Sequence, residues 1–134
     1  MRSETIEIRT GGNPRIHDLT ETCERFVDDE ADGLLSVFVP HATAGLAIFE
    51  TGAGSEDDLL QALLRVLPME VHYRHSHGSP GHGRDHVAPV FIAPSITVPV
   101  LGGRMQLGTW QSVCLVDTNV DNDVRTVRLS FLAG

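Results

Sequence analysis

The chain has 134 residues and a hydrophobic share of 41%, enough for one domain burying about two-thirds of its unfolded surface and too apolar for disorder. Its formal net charge of -8, with ten basic residues and no run among them, argues against partners such as nucleic-acid backbones or anionic membranes. No apolar stretch approaches the ~20 residues of a membrane span, and Met1-Arg2-Ser3-Glu4-Thr5 lacks the apolar core of a signal peptide, so a cytoplasmic protein is expected.

In chain order, Glu4 to Arg9 alternates polar and apolar residues and predicts a half-buried strand, which Gly11-Gly12-Asn13-Pro14 ends. Asp18 with Glu21 predicts a capping box, followed by a helix carrying Leu19, Cys23, Phe26 and Val27. Leu34 to Val39 and Ala44 to Glu50 predict two strands. Ser55 predicts the cap of a second helix whose apolar face is Leu59, Leu60, Leu63, Leu64 and Leu67, stopped by Pro68. Met69 to Asp85 reads as a long loop, the kind usually retained for function. Strands are then expected at Val90–Ile92, Ile96–Leu101, Met105–Leu107, Gln111–Val116 and Val124–Leu132, with hairpin turns at Gly102-Gly103 and Asn119–Asn122. Strands grouped late, with two main helices early, predict a single α+β domain with mostly antiparallel, sandwich-like packing. Cys23 and Cys114 form no CxxC pair and read as buried thiols in preference to a disulfide.

The chemistry concentrates in seven histidines, five of them between His72 and His86. Imidazole ligates zinc and similar ions, and a catalytic site needs three protein ligands with one open position. The spacing fits no standard zinc pattern, and a His-rich loop taken alone is more often solvated than metal-bound. His41, at a strand end before the small residues Ala42-Thr43-Ala44-Gly45, is either a rigidly presented ligand or a hydrogen-bonded cap. Glu50 reads as a general base, an orienting group, a ligand or a solvated strand end. Thr109, Trp110 and Gln111 form a candidate recognition group for phosphate or a planar ring, against the alternative of a core tryptophan. Arg104, Arg125 and Arg128 are the candidate cations for an anionic substrate, against a solubilising role. No P-loop and no GxSxG elbow is present.

Pro40-His41-Ala42-Thr43-Ala44-Gly45 with Glu50, Leu67-Pro68, Tyr73-Arg74-His75, His86, Pro99-Val100, Gly103-Arg104 and Leu107-Gly108-Thr109-Trp110-Gln111, in this order, resemble the YjbQ family, UPF0047. The resemblance covers nearly the whole chain. It implies a homotrimer of small α+β subunits with sites near subunit boundaries, and a divalent metal, zinc foremost, on His41, His75 and His86. It also implies a secondary thiamine-phosphate synthase activity, joining hydroxymethylpyrimidine diphosphate to thiazole phosphate with release of pyrophosphate. The sequence departs from the family pattern around Phe49-Glu50-Thr51-Gly52, where an Asn and an Asp-Pro step are usual, and at Ala88, where a lysine is usual.

The expectation is therefore a metal-dependent transferase acting on a small phosphorylated molecule. Glu50 and His41 would be catalytic, and Thr109, Trp110, Gln111, Arg104 and Arg125 would hold the substrate. A metal-dependent hydrolase of a phosphorylated or amide compound and a non-catalytic trimeric binding module are the alternatives.

Overall fold

The computed structural model describes residues 1–134 and contains two antiparallel sheets. Strands β1 (Arg2–Arg9), β8 (Val124–Ala133), β3 (Gly33–Phe38), β5 (Ser95–Leu101) and β6 (Arg104–Met105) form a five-stranded sheet in that spatial order. Strands β2 (Arg15–Asp18), β7 (Ser112–Asp117) and β4 (Ala44–Phe49) form a three-stranded one. Helices α1 (Thr20–Val27), α2 (Ser55–Val66) and the single turn α3 (His82–Asp85) complete an α+β fold.

Side chains alternate across each strand, so one face of each sheet turns inward. The main core joins Leu35 and Val37 of β3, Val98 and Val100 of β5, and Val127, Leu129 and Phe131 of β8 to Leu46, Val113 and Leu115 of the smaller sheet. Leu19, Cys23, Phe26 and Val27 bring α1 onto the same core. The other face of the smaller sheet is covered by Leu63 of α2 and by Ile92, packed with Val116. Leu34–Val39, an apolar run in the sequence, buries Leu35, Val37 and Val39 but leaves Leu34 and Phe38 exposed on the outer face. No helix is long and apolar enough to cross a membrane.

Several local expectations are corrected. Asp18 ends β2, an unforeseen strand, and its Oδ1 accepts the Thr20 amide at 2.9 Å, so there is no capping box with Glu21. Gly54, at φ 95°, precedes α2 and Ser55 is its first residue; a left-handed backbone suits glycine there. Val90–Ile92 is no strand: Ala88–Val90 is a 3₁₀ turn initiated at Pro89, and Val90 and Phe91 stay exposed. Gly102 and Gly103, both at positive φ, make the predicted hairpin between β5 and β6. Asn119–Asn122 makes none, because β7 and β8 lie in different sheets and the segment crosses between them.

Candidate metal centre

His82 and His86, four residues apart across the one turn of α3, share a face. Their Nε2 atoms lie 3.0 Å apart. Ligand nitrogens on a tetrahedral zinc at 2.0–2.1 Å are separated by about 3.3 Å, so this pair is close to a chelating arrangement. His75 reaches them from the preceding loop, its ring centroid 4.4 Å from that of His86 and 5.2 Å from that of His82. One ligand nitrogen from each of the three falls within 4.8 Å of the others. His77 stands beside them, 4.3 Å from His75 and 4.5 Å from His82 between ring centroids.

A glycine permits this approach. A Cβ at Gly83 would sit 2.0 Å from the His75 carbonyl oxygen and 2.7 Å from the Tyr73 Cβ, so only glycine lets the loop lie on α3. Desolvation, then the neighbouring imidazoles, lowers the pKa of both His75 and His86. The neutral ring is the form that ligates metal.

The support beneath α3 comes from residues 117–121. The Asp85 Oδ1 accepts hydrogen bonds from Arg84 and from the Thr118 hydroxyl at 2.9 Å, and its Oδ2 accepts from the Asn119 amide group at 3.1 Å. Asn119 in turn accepts the Asp121 backbone N–H at 3.0 Å, and Asp121 Oδ2 meets His82 Nδ1 at 2.8 Å. The hydrogen bond from His82, followed by that from Ser79, holds the Asp121 carboxyl below its ordinary pKa. Beside the imidazoles lies a pocket of about 350 Å³ whose walls include His72, Tyr73, His75, His77, Ser79 and His82.

Of the three predicted ligands the chain brings together His75 and His86, joined by His82 in place of His41. His41 accepts the Thr126 amide at 2.9 Å on Nε2, and burial, then Arg125, lowers its pKa. Arg125 is 1% exposed, and its guanidinium bonds both Asp117 oxygens, at 2.7 and 2.9 Å, and the Thr43 hydroxyl at 3.0 Å. It is a structural ion pair with no face left for a substrate. Glu50 is exposed just past β4, and Arg104 is exposed on β6. The Gln111 side chain closes its own turn by accepting the Gly108 amide at 2.8 Å, leaving Trp110 72% exposed and not in the core. None of these lines the pocket. Sequence reasoning missed His82 and Asp121; the i,i+4 spacing of His82 and His86 was the available signal for the first.

A family profile described as UPF0047 protein YjbQ-like matches residues 4–134. A UPF0047 protein of Mycobacterium tuberculosis is 56% identical over 134 residues, covering 100% of both chains. The solved structure of a protein from Aeropyrum pernix superposes with a TM-score of 0.91 at 27% identity, covering 100% of both chains. One from Clostridium acetobutylicum, of the YjbQ/UPF0047 family, gives 0.86 at 25% identity, covering 96% of this chain and 99% of that one. Matched along almost its entire length, the chain belongs to the UPF0047 YjbQ-like family.

Proposed function

We propose that this protein is a metal-dependent transferase of small phosphorylated molecules, holding a divalent ion, zinc foremost, through His75, His82 and His86. The observation that carries the reading is the convergence of these three imidazoles beside a pocket. When bound, the ion supplies electrostatic stabilisation to a leaving diphosphate. The reaction favoured by the family resemblance is the thiamine-phosphate synthase type. The carbon–oxygen bond joining hydroxymethylpyrimidine to its diphosphate breaks, a carbon–nitrogen bond to thiazole phosphate forms, and pyrophosphate departs.

Within the chain, Gly83 keeps His75 against α3, and Asp85 with Thr118 and Asn119 anchors the turn that bears His82 and His86. His41, Glu50, Arg104 and Thr109–Gln111 do not line this pocket, and in the homotrimer that the family resemblance implies they would serve at subunit boundaries. The buried thiols Cys23 and Cys114, each pushed up to about 12 by burial, fit a reducing cytoplasm.

Zinc-loaded protein given both half-substrates forms thiamine phosphate and pyrophosphate, and His86→Ala abolishes both products. Failure of the loaded wild-type protein to form product overturns the transferase. A second reading, a metal-dependent binding module without turnover, is favoured by one observation. Arg84 and Arg125 are locked to Asp85 and Asp117, and no arginine lines the pocket. Calorimetry showing tight binding of hydroxymethylpyrimidine diphosphate without product selects that reading.

A further inference from the structure

Asp121 belongs to the crossing between the two sheets, remote in sequence from the histidine loop, yet its carboxylate meets His82. We propose that Asp121 is a positioning residue of the imidazole cluster, holding His82 with its proton on Nδ1 so that the bare Nε2 faces His86 and His75. The inference rests on the metal-centre reading above and adds to it the group that sets the ligand's tautomer and direction.

Three observations carry it. Asp121 Oδ2 lies 2.8 Å from His82 Nδ1, and a carboxylate accepts only, so the Nδ1 of a neutral His82 must donate. The opposite ring nitrogen, Nε2, is the one 3.0 Å from His86 Nε2, which leaves it an acceptor there and a lone-pair donor to an ion. The loop also runs close against the pair: a Cβ at Gly78 would lie 2.6 Å from His82 Nδ1 and 3.0 Å from Asp121 Oδ2, so only glycine's bare backbone fits there. Asp121 is itself fixed, its backbone N–H donating to Asn119 Oδ1 at 3.0 Å while Asn119 also donates to Asp85 in α3. One short segment thus grips α3 twice, once at its base and once at the ligand. A carboxylate behind a histidine in this way commonly strengthens metal binding about 10- to 100-fold.

The test uses metal-free and zinc-titrated full-length protein. A long-range proton–nitrogen correlation spectrum of the metal-free protein, above the ordinary imidazole pKa of about 6.5, reads the tautomer of His82 directly. The wild type is expected to show the Nδ1–H form. Asp121→Ala, with an unchanged melting temperature without metal, shifts His82 toward the Nε2–H form and weakens zinc binding about 10- to 100-fold by chelator competition. Asp121→Asn, keeping an acceptor oxygen without the charge, falls between the two. An Nε2–H tautomer in the wild type, or zinc affinity equal in wild type and both variants, overturns the positioning role while leaving the metal centre standing. Absence of zinc binding by the wild type overturns the metal centre and this inference with it.

Discussion

The Nε2 of His17, on β2, is buried with no hydrogen-bond partner. Burial, then Arg15, lowers its pKa from the ordinary 6.5, with Asp117 opposing. A histidine whose folded pKa is lowered takes up its proton first in the unfolded chain. Its contribution is therefore intact above pH 6.5 and is lost as pH falls through that value toward the folded one. His17→Leu should melt at a higher temperature than wild type at pH 5.5, by a margin that shrinks toward pH 8, in a calorimetric pH series. A constant margin across that series would refute the assignment. Asp117 makes the complementary case. Removing it strands the fully buried Arg125 guanidinium, so Asp117→Ala should destabilise by about 3–5 kcal/mol in urea unfolding. Adding Arg125→Met to that variant should recover part of the loss, because the stranded charge goes with it.

Among the elements, α3 is the shortest helix and bears the most chemistry. Alanine in place of glycine in a helix ordinarily stabilises by about 0.5–1 kcal/mol. At Gly83 the new Cβ would meet the His75 carbonyl, so Gly83→Ala should instead displace the loop and weaken zinc binding at least about tenfold, on the scale of losing a ligand's support. Isothermal titration reads this; unchanged affinity would mean that the loop reaches His75 by another path. Strands β3, β4, β5, β7 and β8 were legible because burial on one or both faces leaves an apolar run or alternation in the sequence. Strand β2 was not, since Arg15-Ile16-His17-Asp18 offers one aliphatic residue and gains its register from pairing with β7. Val90-Phe91-Ile92 misled for the opposite reason: only Ile92 of the three is buried, and Pro89 commits the segment to a turn. The imidazole-rich loop was visible as composition. Which imidazoles converge was not, because that depends on Gly83 and on Asp121, whose roles exist only in three dimensions.

At the scale of the whole molecule, the outward face of the five-stranded sheet has no protein layer over it. Leu34 and Phe38 of β3, Leu101 of β5 and Leu132 of β8 are all exposed, and Leu34 sits in register between Leu132 and Pro99. The Leu132–Leu34–Pro99 row is an exposed apolar patch of the kind that subunits cover, set apart from Phe38 by the polar row Ser130–Ser36–Thr97. The proposed homotrimer should weigh three chains by light scattering, and Leu34→Asp combined with Leu132→Asp should dissociate it without unfolding the subunit, since both side chains point away from the core. A wild-type monomer at micromolar concentration would dismiss the trimer.

The crossing from β7 to β8 ties these scales together, since the six residues between the two strands join the sheets and also carry Asp121. Unfolding of this segment would drag the carboxylate off His82, so an ion gripped by the imidazoles would work as a latch on the fold. At a free concentration of one hundred times its dissociation constant, such a latch adds about 2.7 kcal/mol against opening. Amide protons of the strands, that of Thr126 in β8 among them, should then exchange with deuterium more slowly once zinc is added, although they lie away from the imidazole cluster.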